Sequence, residues 1–286
     1  MKGSNLSMRV GFITVLAAMV AVPAIVRAEF FIDVYGGATT ETSGSITGDH
    51  EWQGVPIYYE RGDFDPRTTT GAWAGEIGMV QMLPRDILEN GQDADGDGHV
   101  RLKTSAPDAL VSGAAMLADF GWRAGEPWLQ EVRVPATLDW SQSGIHIAKP
   151  VSQWAAQGVT ARSGSLPKGA KASLILPQGH KGPAFLAYPN FNVYFDWNQS
   201  FTYVVTAAYF ATLIEGAPKM DKGSPEQGLN GDQMVSLQKK LRARGHDVGK
   251  ADGILGAKTR IAVQNEQKRL GLPADAWPTR ALLSAL

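Results

Sequence analysis

Thr69 to Pro84 reads Thr-Thr-Gly-Ala-Trp-Ala-Gly-Glu-Ile-Gly-Met-Val-Gln-Met-Leu-Pro, and shortly after it Asp93 to Gly98 reads Asp-Ala-Asp-Gly-Asp-Gly. Gly71, Ala72, Ala74, Gly75 and Gly78 surround Trp73, Met79, Met82 and Leu83. Such small residues let backbone segments approach closely and leave room for a ligand beside Gln81. The acidic run has the ligand spacing of a calcium loop. Surface helices and strands seldom have this texture, so a site is expected here.

Working outward, the chain of 286 residues is long enough for one medium domain and a small one, and 44% hydrophobic with 19% charged residues is ordinary globular composition. Lys and Arg number 27 against 28 Asp and Glu, so no basic field points to nucleic acid. The absence of cysteine excludes disulfides, thiol catalysis and Cys-ligated zinc, and it fits an exported bacterial protein. The five histidines (His50, His99, His146, His180, His246) show no metal-ligand spacing. No nucleophile elbow or phosphate loop is present.

Arg9 precedes an apolar run from Val10 to Val26 that ends in Val26-Arg27-Ala28. That is the layout of a signal peptide over 1–28, and it predicts export to the periplasm; membrane contact is expected only if the segment is retained as an anchor. Residues 29–60 are an anomalous leader. Phe30 to Gly37 alternates like a strand, but a single strand makes no barrel, and a leader packed on the domain or left mobile is the plainer expectation.

From Arg61 onward the pattern is mainly helical, with a small β-containing insert. Trp73–Glu89 reads as a buried, glycine-broken helix. Pro107–Phe120 carries Pro then Asp in its first turn and ends at Gly121. A further apolar helix lies within Asn192–Ile214. Val132–Val151 and Ala170–Tyr188 hold short β-rich runs such as Ala172–Leu176. Residues 218–228 are a linker in composition, and 229–286 form a separate unit in which Met234, Leu237 and Leu241 fall at helical spacing.

Several separated motifs carry a resemblance. G-x-W-A-G-x-x-G-x-x-Q-x-x-P, D-x-D-G-D-G, P-D-A-x-x-S-x-A-x-x-L over Pro107–Leu117 and G-W-R-x-G-E-P-W over Gly121–Trp128 recur in the order found in lytic murein transglycosylases of the B type, which cut bacterial cell-wall glycan. The similarity runs from about Arg61 to Ala217. The tail, with Q-x-x-L-x-x-x-G and then D-G-x-x-G-x-x-T-R-x-A-V-x-x-x-Q-x-x-x-G-L-P, resembles a three-helix peptidoglycan-binding domain. The implied fold is a lysozyme-like remnant, 61–217, followed by that module, and the implied partner is the peptidoglycan glycan strand.

By this resemblance a single Glu protonates the glycosidic oxygen and then acts as base while the muramoyl C6 hydroxyl attacks C1, giving a 1,6-anhydro product. Family members carry that Glu as Glu-Ser or Glu-Thr well upstream of the G-x-W-A-G motif, and this sequence has no such pair there. Glu29, Glu41, Glu51 and Glu60 stand in other contexts. Impaired cleavage is therefore expected, with a non-catalytic wall-binding protein as the alternative. Glu76 is the substitute acid by position, weighed against a plain helix residue. Gln81 is implied as a cleft residue able to donate to and accept from an N-acetyl group. Asn198 and Tyr203 match the family's Tyr-Asn-x-Ser-x-x-Tyr cleft pattern, with Trp197 in place of the first Tyr.

Asp93, Asp95 and Asp97 occupy loop positions 1, 3 and 5, with the His99 carbonyl at 7. Thr104 at position 12 cannot be bidentate, and the resemblance points to Asp108 as the closing acid. A structural Ca2+ is expected, the alternative being a solvated acidic turn; no organic cofactor is expected.

Overall fold

The computed structural model describes residues 62–65, 69–72 and 75–286. The expected signal segment, the leader with its strand, the acids Glu29, Glu41, Glu51 and Glu60, and Trp73 lie outside the described residues. The described chain divides after Gly125 into two compact units. No helix among the described residues is long and apolar enough to cross a membrane.

Among its described residues the first unit holds two helices, α1 (Pro84–Asn90) and α2 (Ala106–Asp119). The expected helix over Trp73–Glu89 is corrected here, since of its described residues only those from Pro84 onward are helical. Gly75 and Gly78 have φ of 90° and 84°, and Gln81 itself has φ 52°, all in the left-handed region that a helix excludes. Ile77 and Met82 pair instead in an antiparallel bridge, with reciprocal N–H···O bonds of 2.8 and 3.1 Å closing a tight turn over 78–81. Pro84, whose fixed φ suits a first helical position, starts α1. Ser105 caps α2 by accepting the Asp108 N–H at 3.3 Å. Gly121 at φ 95° lets the chain leave it, with the Trp122 N–H on the Leu117 carbonyl at 2.9 Å.

The second unit opens on an antiparallel sheet. Its strands are β1 (Leu129–Arg133), β2 (Ala148–Pro150), β3 (Thr160–Ala161), β4 (Lys171–Ile175) and β5 (Phe185–Ala187), in the order β2-β4-β5-β1-β3. The register is set by Leu174↔Leu186 and Gln130↔Leu186. Leu174, Leu186 and Val132 bury against Trp154 of α3 (Val151–Ala156), whose indole donates to the Ala172 carbonyl at 2.8 Å. This is the insert expected from the β-rich runs.

Two helices follow, α4 (Pro189–Trp197) and α5 (Phe201–Ile214). The break between them is built by side chains. Asn198 Oδ1 accepts the Ser200 N–H at 2.9 Å, and Ser200 Oγ accepts the Tyr203 N–H at 3.4 Å.

The tail forms α6 (Gly231–Ala243), α7 (Ala257–Arg269) and α8 (Arg280–Ala285) around Met234, Leu237, Leu241, Ala262, Val263 and Leu282. Asn230 and Gln233 cap α6 reciprocally, at 2.9 and 3.1 Å. Leu241 is fully buried, so its replacement by Ala would cost roughly 2–5 kcal/mol, a large part of a small domain's stability.

Residues 217–230 contain no regular element, in keeping with their composition, yet they are pinned as a strap. The Met220 N–H donates to the Tyr209 hydroxyl at 2.9 Å, Asp221 N–H to Glu131 at 2.7 Å, and Ser224 N–H to the Lys181 carbonyl at 2.8 Å. Backbone groups that a free linker would leave to water are bound to the sheet unit instead.

Candidate active site

In the first unit the small residues act as the sequence suggested. A Cβ on Gly78 would stand 2.4 Å from Leu102 Cβ and 2.7 Å from the Leu102 carbonyl oxygen, so no side chain fits there. The Met79 N–H takes that same carbonyl at 2.8 Å, which locks the turn onto the segment after the acidic loop. Glu76 lies just before this turn and not on a helix. It is half-buried, its carbonyl accepts the Ala72 N–H at 2.8 Å, and its Oε2 is buried with no hydrogen-bond partner among the described residues.

Gln81 sits at the far side of the turn, half-buried, in a conformation that L residues rarely adopt. Its amide makes no hydrogen bond within the described residues. A non-glycine residue held at positive φ is strained by about 1–3 kcal/mol, and such strain clusters at ligand sites.

The acidic loop is organised by its own backbone. Asp93 accepts the Gly96 and Gly98 N–H groups at 2.7 and 2.9 Å. Asp95 accepts the Asp97 N–H at 3.2 Å and the Ser105 hydroxyl at 2.6 Å. Asp108, fully buried at the start of α2, accepts the N–H groups of Ala94 and Arg101 at 2.8 and 2.9 Å. Burial works to raise the Asp108 carboxyl, but donors from Arg101, Ala94, Asp95 and Ser105 outweigh it and hold the group below the ordinary carboxylate range.

Carboxylate oxygens of Asp93, Asp95 and Asp108 come within 4.8 Å of one another. Asp97 is not in that group; its carboxylate turns to the Arg101 guanidinium and the His99 N–H. The His99 ring is drawn to Asp63 at 3.2 Å. The donor set is all oxygen, the chemistry of a hard divalent cation, and the three acids fit one.

Asp63 escaped the sequence reading. Its side chain is 1% exposed, accepts the Val100 N–H at 3.1 Å and faces His99, so it clamps the outgoing end of the loop. Nothing in Arg-Gly-Asp-Phe-Asp marks that role.

In the second unit Trp197, Asn198 and Tyr203 flank the α4–α5 break. Trp197 and Tyr203 are half-buried, and the Asn198 carboxamide oxygen is already engaged with the Ser200 N–H. Beneath them Tyr194 is buried, which pushes its phenol well above the ordinary range. Glu76 and Gln81 belong to the first unit and these three residues to the second.

With this geometry in hand, the comparisons decide the family. The Transglycosylase SLT domain profile matches residues 50–212, and the peptidoglycan binding domain profile matches 230–286. The chain belongs to the transglycosylase SLT family. Two crystal structures of SltB3 from Pseudomonas aeruginosa are similar to it. One, in complex with NAG-NAM-pentapeptide, is 33% identical with a TM-score of 0.72, over 98% of this chain and 83% of that one. The other, with NAG-anhNAM-pentapeptide, is 40% identical with a TM-score of 0.70, over 80% of this chain and 63% of that one. A spore cortex-lytic enzyme of Bacillus cereus is 38% identical over 50 residues, and the match spans only 19% of that enzyme. SLT membership places the turn, the acidic loop and the α4–α5 break in a transglycosylase domain, with a peptidoglycan-binding domain after it.

Proposed function

We propose that this chain is an exported, periplasmic wall protein that holds peptidoglycan and cleaves its MurNAc-GlcNAc bonds slowly, to 1,6-anhydromuropeptides. The match of both family profiles in series along one chain carries the reading, supported by relatives solved with muropeptide ligands. Slow turnover follows from the missing Glu-Ser or Glu-Thr pair, which leaves Glu76 as the acid. Gln81 and Asn198 offer amides to N-acetyl groups, and Trp197 and Tyr203 offer aromatic faces to sugar rings. The helices α6 to α8 serve as a three-helix peptidoglycan-binding domain. A calcium ion on Asp93, Asp95 and Asp108 stiffens the loop that backs the Gly78 turn.

The non-catalytic alternative has one observation in its favour, the same absent Glu motif. Incubation with purified sacculi separates the readings. Sedimentation with sacculi together with slow anhydromuropeptide release supports the proposal, sedimentation with no release supports the binder, and failure to sediment refutes both.

A further inference from the structure

The second unit carries an open cleft of about 480 Å³, a size that holds a short peptide segment or small molecule. Phe201, Val205 and Tyr209 of α5 form part of its wall, and Met234, Leu255 and Trp277 of the tail form another. One cation interrupts this apolar lining. Arg260, from the first turn of α7, sets its guanidinium carbon 4.4 Å from the Phe201 ring centroid and 5.9 Å from that of Trp277.

One terminal nitrogen of Arg260 donates to the Pro177 carbonyl at 2.8 Å, while Nε is buried with no partner among the described residues. No carboxylate among the described residues forms an ion pair with it. Asp275, the acid whose charge it feels, is held by His180 at 2.6 Å and Gln267 at 2.9 Å. Burial pulls the guanidinium down to about 10, against a small opposing effect of Asp275.

A half-buried guanidinium that no carboxylate among the described residues pairs, set in aromatic and aliphatic walls, is complementary to a carboxylate borne on small apolar groups. The glycan of peptidoglycan offers hydroxyls and acetamides, whereas its stem peptide offers methyl groups and free carboxylates. We infer that this cavity binds the stem peptide, a carboxylate meeting Arg260 and the apolar side groups lying along Phe201 and Trp277. The inference rests on the peptidoglycan reading above and names the part of the polymer that the tail recognises.

The test uses the full chain and two variants. Arg260→Met removes the charge and keeps the stem, and Thr206→Trp fills the cavity from an exposed position on its rim. Calorimetric titration with free stem pentapeptide should show saturable binding that weakens about tenfold or more in each variant. Intact sacculi should sediment more protein than sacculi stripped of peptides by an amidase. Absent peptide binding, affinity unchanged in both variants, or equal sedimentation with intact and stripped sacculi would overturn the inference and leave the peptidoglycan reading standing. Failure to sediment with intact sacculi would overturn both.

Discussion

His180 Nδ1 stands 2.6 Å from Asp275 Oδ2, joining the loop after β4 to the loop that follows α7. Asp275 also accepts the N–H groups of His180 and Trp277, both at 3.0 Å, and the Gln267 amide at 2.9 Å. One buried carboxylate thus holds the tail against the sheet. Asp275→Ala leaves these donors without their acceptor, and each such donor costs about 1–3 kcal/mol. A loss of roughly 2–4 kcal/mol in chemical denaturation is expected, with faster proteolysis of the strap over 217–230. A change within about 0.5 kcal/mol would show the seam to be incidental.

Gln81 gives a prediction in which stability and binding move in opposite directions. Its φ of 52° costs an L residue about 1–2 kcal/mol, and glycine has no such penalty. Glycine's greater freedom in the unfolded chain offsets part of the gain. Gln81→Gly should therefore leave the melting temperature equal or raised while weakening muropeptide binding. A lowered melting temperature with unchanged affinity would make Gln81 a structural residue only.

How much of this was legible beforehand differs between the two ends of the chain. The tail's helices follow from leucines at helical spacing and from Gly245, which leaves α6 at φ 88°. The roles of the motif glutamines do not. Gln238 accepts the Gly253 N–H at 2.9 Å and donates to the Ile254 carbonyl at 3.0 Å, and Gln267 clamps Ala276 and Asp275 in the same way. Such long-range amide bonds leave no periodic trace. The Gly75–Gln81 stretch misled for a related reason, since its apolar residues suit a helix and the decision lies with φ values that only the glycines and a strained Gln81 adopt. In the acidic loop the spacing of Asp93 and Asp95 was readable, while the turn of Asp97 toward Arg101, four residues on, competes with the ligand reading, and the clamp from Asp63 comes from a residue distant in sequence.

Asp108 links the loop to pH. Its folded pKa is depressed, so its stabilising contribution is present above the ordinary carboxylate range and is lost as pH falls through the lowered value. Stability of the first unit should fall on acidification in that window. Asp108→Asn should flatten the dependence and cost about 1.5–3 kcal/mol at neutral pH, because an amide replaces the charged acceptor of several backbone donors. Thermal melts across acid pH check this; an unaltered profile in the variant would assign the effect to other groups.

Calcium should raise the melting temperature, since a ligand bound only by the folded state stabilises it by mass action. The rise is expected to vanish with a chelator and in the Asp93→Ala, Asp95→Ala double variant, which removes the two exposed members of the cluster. An equal rise in that variant would place the ion elsewhere.

The proposed cleavage is expected to depend on Glu76. Proton donation to the leaving oxygen supplies about 10²–10⁴-fold, and no other acid in the Gly75–Gln81 turn can provide it. Glu76 stands just before the tight turn whose backbone Gly78 fixes against Leu102, and one of its oxygens is buried with no hydrogen-bond partner among the described residues. Glu76→Gln is isosteric and should leave sedimentation with sacculi unchanged while lowering anhydromuropeptide release by about 10²-fold or more, as read by mass spectrometry of the soluble products. Release that survives the substitution would assign the acid to Glu51 or Glu60, upstream of the turn.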